Sequence, residues 1–213
     1  RIADAGLLEE RFRDEPGRTL AMCSGAAQPL PARQAGRRAT MTAATTTPPI
    51  LNLADIEARP RPDEFAPDDA ATRDRFAARM ARLGPRLGLS QLGCSLVVVP
   101  PGKRAFPFHN HHVNDELFVV LEGSGELRLG AATHAVRAGD VIGCPPGGPA
   151  SAHQLVNTGD AELRYLAIST MRWPEVCDYP DSGKFAVYES GRGADGFYHC
   201  GRAEQLLDYW DGE

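Results

Sequence analysis

From Leu89 onward the chain is a succession of short β-type runs separated by turn residues, and this limits it more than any other feature. The runs cover residues 94–99, 117–121, 126–129, 133–136, 140–143, 153–156 and 162–169, each enriched in β-branched or long aliphatic side chains. Gly123-Ser124-Gly125, Gly130, Ala138-Gly139-Asp140 and Asn157-Thr158-Gly159-Asp160 punctuate them. No helical pattern of roughly 10 to 15 residues lies between the runs, which argues against βαβ units. An antiparallel sandwich or barrel over about residues 90 to 170 is expected instead.

The flanks read differently. Residues 1–50 are rich in Ala, Thr, Pro, Gly and Arg, and Pro29, Pro31, Pro48 and Pro49 interrupt any regular element, so disorder or linker is expected. The chain opens on Arg1 and offers a start at Met41, so residues 1–40 read as a fragment or over-extended translation, a non-native extension. Residues 51–88 read as an N-terminal arm with one short helix between Pro67 and Gly84. Asp68 or Asp69 starts that helix, Phe76, Met80 and Leu83 recur at i, i+4 and i+7 to pack on a sheet edge, and Gly84-Pro85 stops it. Beyond residue 170, Trp173-Pro174 and Tyr179-Pro180 break the pattern. Residues 171–213, with Phe185, Val187, Tyr188 and the Leu206-to-Trp210 stretch, read as a C-terminal extension packing on the barrel.

Chemistry concentrates in Pro107-Phe108-His109-Asn110-His111-His112-Val113-Asn114-Asp115-Glu116. On an extended strand His109 and His111 point to one side, with Asn110 opposite. The gap to Glu116 is long enough for a turn to bring its carboxylate back, and His153 opens a later run. Three neutral imidazole nitrogens and one carboxylate oxygen suit one divalent transition metal (iron, manganese, nickel, cobalt or zinc) and are wrong for calcium. Five- or six-coordination would leave positions for water or substrate. A barrel whose histidines only form hydrogen bonds is the competing reading. His112 falls on the opposite phase, at the rim, His134 follows a turn toward solvent, and nothing places His199 near the metal. Cys144 reads as a buried structural thiol, and the Pro145-Pro146-Gly147-Gly148-Pro149 loop after it as the lip of a pocket. Glu126, Arg128 and Tyr165 are strand residues of interest to a substrate if they face inward.

The arrangement resembles the cupin superfamily, in its small single-domain form with both motifs. The first motif appears as Gly102, His109, His111, Glu116 and Gly123, with Gly102 one residue further from His109 than is usual. The second appears as Gly139, Pro145, Gly147, His153 and Asn157, with a loop before His153 that is about three residues longer than usual. The resemblance implies an all-β, cupin-type jelly-roll β-barrel in which His109, His111, Glu116 and His153 hold the metal. It makes Asn157 a structural turn residue and implies a homodimer.

A net charge of −5 gives no long-range attraction for nucleic acid, and the solitary helix does not form a helix-turn-helix. Cys23, Cys94, Cys144, Cys177 and Cys200 are odd in number and lack paired spacing, so a reducing compartment is expected. With no long apolar run and no secretory leader pattern, no membrane partner is expected and the cytoplasm is the default. Neither a nucleotide-phosphate fingerprint nor a nucleophile elbow is present. The leading expectation is a small-molecule metalloenzyme of the oxygenase, isomerase, lyase or decarboxylase class, acting on a polar, oxygen-bearing organic acid or sugar derivative. The alternatives are a non-catalytic small-molecule or sugar binding and sensing protein, and a structural or storage role; fold alone does not choose among them.

Overall fold

The computed structural model describes residues 50–63, 66–189, 197–202 and 208–213. Apart from Ile50, the stretch read as disordered or non-native lies outside these residues, as do Leu206 and Leu207 of the Leu206-to-Trp210 stretch. Thirteen strands, numbered in chain order, run through the described residues. Six form one sheet in the order β1 (Arg59–Pro60), β2 (Arg79–Arg82), β3 (Leu92–Val99), β10 (Leu163–Thr170), β5 (Glu116–Glu122), β8 (Val141–Cys144). A second sheet has the order β13 (Tyr198–Arg202), β12 (Lys184–Tyr188), β11 (Glu175–Tyr179), β4 (Asn110–His111). The third is β7 (Ala132–Arg137), β6 (Ser124–Leu129), β9 (His153–Val156). All the pairings are antiparallel, and all seven runs read from sequence are strands, with ends shifted by at most two residues.

β3 shows why its sequence is continuously apolar instead of alternating. Val97 and Val99 face the main core of Phe118, Val120, Leu127, Leu155 and Tyr165. Leu96 and Val98 face the other way, onto Ile56 and Leu83 of the N-terminal arm. Both faces of the strand are therefore covered, and neither tolerates polar residues. Burying each such side chain contributes about 1.5–3 kcal/mol relative to leaving it in water.

The helix expected between Pro67 and Gly84 is much shorter than its periodicity suggested. α1 (Ala70–Arg75) starts where expected, with the Asp69 side chain accepting from the Thr72 amide, but ends at Phe76. Met80 lies on β2, opposite Val97 of β3, and Leu83 follows that strand. Pairing with β3 satisfies the backbone of residues 79–82 and sends Met80 into the main core, while Ala81 and Leu83 join the second core. Tertiary pairing thus outweighed a helical spacing only three residues deep.

Residues beyond 170 supply three strands that the sequence pattern did not reveal, and β11 pairs with β4, setting Cys177 opposite His111. An isolated bridge between His109 and His153 links β4's approach to β9, with reciprocal backbone hydrogen bonds of 2.8 and 3.2 Å. Two turns hold the strand ends that carry these residues. Asn157 is fully buried, donates to the carbonyls of Val99 and Ala161, and accepts from the Gly159 amide. Gly123 joins β5 to β6 at φ +79°, and a Cβ there would sit 2.3 Å from the Glu162 carbonyl oxygen. Gly123→Ala is therefore expected to lower unfolding free energy by at least about 2 kcal/mol, read as a drop in the urea midpoint. An unchanged midpoint would show that the turn relaxes freely.

Candidate metal centre

β4 and the residue before it carry His109 and His111 on one side, with Asn110 directed to the other, where it donates to the Gly147 carbonyl and to Asp178. Glu116 opens β5, and His153 opens β9. Glu116 Oε2 is the hub: it lies 2.8 Å from Nε2 of His153, 3.4 Å from Nε2 of His111 and 3.8 Å from Nε2 of His109. The ligand atoms of His109, His111 and Glu116 all lie within 4.8 Å of one another. His153 stands outside that set, but its ring centroid is 4.8 Å from that of His109. The four residues expected from sequence are thus brought to one place, His153 mainly through Glu116.

Each imidazole has its other nitrogen engaged. Nδ1 of His109 faces the Pro107 carbonyl at 2.9 Å, and Nδ1 of His153 faces the Ser151 carbonyl at 3.1 Å. A carbonyl only accepts, so these contacts put a proton on Nδ1; in His109 this leaves Nε2 as the free electron pair, whereas Nε2 of His153 donates to the Glu116 carboxylate at 2.8 Å. Nδ1 of His111 faces two groups, Cys177 Sγ at 3.2 Å and Glu175 Oε2 at 3.3 Å. Nε2 of His111 is buried and has no hydrogen-bond partner among the described residues. An orphaned ring nitrogen beside a carboxylate, with its opposite edge on an acidic anchor, fits a metal ligand with its supporting carboxylate.

The electrostatics are steep. Burial is the largest influence on His109 and holds it at about 4 despite the nearby Glu116. Burial also acts against a charged His111 and His153, but their acceptors outweigh it. Cys177, Glu116 and Glu175 push His111 up to about 12, and Cys144 and Glu116 push His153 up to about 9. Burial would raise the Glu116 carboxyl, yet His111 and His153 hold it well below the usual carboxylate range. Tyr165 is pushed up by burial and then by Glu116.

Glu175 and Cys177 were not foreseen from the sequence. Glu175 is 0% exposed and accepts from the backbone amides of His112, Val113 and Asn114 at 3.1 Å each, as well as from the Asn114 side chain. It therefore shapes the turn between His111 and Glu116. With Cys177 and His111 it forms a second potential ligand group. The available signal was the alternation of Glu175, Cys177 and Tyr179 after Trp173-Pro174, which places three functional side chains on one strand face.

Other sequence candidates lie elsewhere. His112 is at the rim on Asp178, 2.7 Å away, and His134 and His199 are exposed. Cys144 is buried. Glu126 and Arg128 are on the face of β6 opposite Leu127, and Arg128 is paired with Asp181. Tyr165 lies in the main core against Phe118, whose ring in turn meets His153. Three cavities reach the cluster, one of them from the side of Cys144 and Pro145, and the other two meet at Phe106. Of these two, one of about 240 Å³ touches Glu116 and has Ser95 and Ser169 in its wall; the other, of about 340 Å³, touches His109 and Tyr179.

Residues 95–169 match the family model of the cupin domain. Similar crystal structures extend over far more of the chain. A sugar phosphate isomerase from the cupin superfamily of Silicibacter pomeroyi is 29% identical, with a TM-score of 0.62, covering 76% of this chain and 98% of that one. The fold is a cupin-superfamily fold. A second match, a putative sugar phosphate isomerase from Acidithiobacillus ferrooxidans, has 22% identity and a TM-score of 0.63 over 75% of this chain and 96% of that one, and shows the fold alone. An uncharacterized protein from Methanocaldococcus jannaschii is 33% identical over 72 residues, which make up 34% of this chain; the chain spans about half (54%) of the length of that curated relative. Among the described residues no helix is long and apolar enough to cross a membrane.

Within this cupin fold Glu175 is the buried charge with most to lose. Glu175→Ala strands three backbone amides and is expected to cost about 3 kcal/mol or more in urea unfolding, with Glu175→Gln recovering part of the loss. Equal stability of Glu175→Ala and the parent protein would show that water replaces the carboxylate.

Proposed function

We propose that the chain is a divalent-metal-dependent enzyme acting on a small, polar, oxygen-bearing molecule, with His109, His111, Glu116 and His153 as the metal ligands. One observation carries this reading: three imidazoles have their Nδ1 edges on acceptors and turn their Nε2 edges toward one buried carboxylate. A divalent ion held there supplies a Lewis acid to substrate oxygens. Neutral imidazoles and a single carboxylate favour iron, manganese, nickel, cobalt or zinc.

Isomerisation is the best supported of the reaction classes, because the Silicibacter pomeroyi protein that is similar over most of its length is described as a sugar phosphate isomerase. The hydroxyls of Ser95 and Ser169 give the cavity at Glu116 donors and acceptors for a polyhydroxylated molecule, and Met80, Phe106 and Met171 displace water from the rest of its wall. Glu175 keeps His111 oriented, and the Pro107 and Ser151 carbonyls do the same for His109 and His153.

Elemental analysis of natively expressed protein should find close to one transition-metal ion per chain, largely lost in His111→Ala and in Glu116→Ala. Full occupancy in both variants would remove the proposed ligand set. Turnover of a panel of sugars and organic acids should require the same ion. Metal retention without any metal-dependent turnover would favour the binding and sensing alternative.

Proton linkage provides a separate check. Acidic neighbours push His111 up to about 12, and His153 rises to about 9, so protons occupy these rings at neutral pH when no other cation competes. Metal uptake near pH 7 should therefore release protons into a weakly buffered solution, and metal affinity should fall as pH is lowered. Uptake with no proton release would mean that the ion sits elsewhere.

A further inference from the structure

The cavity at His109 differs in charge from the chain that forms it. The protein has a net charge of −5, yet this cavity of about 340 Å³ is lined by Arg61 and Lys184 and, among the described residues, by no carboxylate. The neighbouring cavity adds Arg82, and its one acid is Glu116. Lys184 and Arg82 take part in none of the ion pairs among the described residues.

Strand register sets the cations in place. β12 puts Lys184 directly between Tyr179 of β11 and Arg202 of β13, so two positive side chains stand opposite each other across one strand pair. Arg202 donates to the Ser182 carbonyl and stays outside the lining of the cavity, so Lys184 is the cation of this strand pair that faces it. The Lys184 ammonium lies 5.7 Å from the centre of the Tyr179 ring. That ring stacks on His109 with centroids 6.1 Å apart and planes 19° from parallel. Across the cavity Arg61 donates to the Ala105 carbonyl at 3.1 Å, and its guanidinium lies 5.8 Å from the centre of the Phe106 ring. One aromatic layer thus separates the cationic rim from a proposed metal ligand, a span that one small molecule can bridge.

We propose that this cavity is an oxyanion subsite, in which Lys184 and Arg61 hold a carboxylate or phosphate group of the molecule whose remaining oxygens reach the metal centre. The destination of those oxygens rests on the metal-dependent reading above; the oxyanion subsite itself does not. Cations in a concave wall concentrate the field that draws an anion in, so binding should weaken as salt is added.

The test is a calorimetric titration of inorganic phosphate, and separately malonate, into the full chain before and after chelator treatment. Lys184→Gln, Lys184→Glu and Arg61→Lys are compared with the parent protein. Saturable binding that weakens about tenfold in Lys184→Gln and disappears in Lys184→Glu, with metal content unchanged, supports the subsite. The stronger of the two ligands tells phosphate from carboxylate. Lys184 is exposed, so its variants keep the fold and Arg61→Lys serves as the second variant. Phosphate binding that ignores both residues, or is lost only when metal is stripped, overturns the subsite, as does the absence of saturable binding of either ligand. Lys184-dependent binding to a chain that holds no metal would support the subsite while removing the metal-dependent reading.

Discussion

The centre of this molecule depends on imidazole orientation. A histidine ring presents either nitrogen, and a cluster of three would ordinarily sample several tautomers and rotamers. Here the outer nitrogen of each ring is committed: the Pro107 and Ser151 carbonyls take two of them, and the Glu175–Cys177 pair takes the third. The inner nitrogens then face Glu116 together. Pre-orientation of this kind lets a site form without a further loss of side-chain entropy when a ligand arrives.

Two buried carboxylates make that arrangement both costly and specific. Glu116 is stabilised by His111 and His153, whose proton affinity it raises in turn, and Glu175 adds to the effect on His111. Glu175 gathers the amides of residues 112–114, so the turn that returns the chain from His111 to Glu116 is built on a charge supplied by a strand more than 60 positions later. Buried charges persist only when such partners surround them, and this explains why removing one partner is more disruptive than its own contact energy suggests. The candidate ligands and the shape of the turn are therefore one cooperative unit.

Around that unit the wall is divided. Phe106 separates a cavity with two serine hydroxyls beside Glu116 from a cationic cavity beside His109. The first offers hydroxyl partners and the second cations, and Glu116 borders the first as His109 borders the second. The proposed metal-holding and recognition roles thus fall to different segments: β4 with the residue before it, β5 and β9 carry the candidate ligands, while β11 and β12 carry Tyr179 and Lys184.

The strand pattern after Leu89, the His-x-His pair with Glu116, and the later His153 were all legible along the chain, because alternation and motif spacing are local properties. So was the turn role of Asn157, whose hydrogen bonds reach the Gly159 amide two residues away and the Ala161 carbonyl four residues away as well as the Val99 carbonyl. The spacing of Phe76, Met80 and Leu83 misled, since a strand partner was available to Met80 and a three-position helical stripe has no way of announcing one. Glu175, Cys177, Tyr179 and Lys184 were invisible as site residues for the same reason. Their chemistry depends on β11 pairing with β4 and β12 pairing with β11, contacts between segments far apart in the chain. Sequence alone determined which residues favour strands and which could bind a metal; tertiary pairing decided which neighbours protonate, orient and surround them, because those effects fall off within a few ångströms and only folding sets such distances.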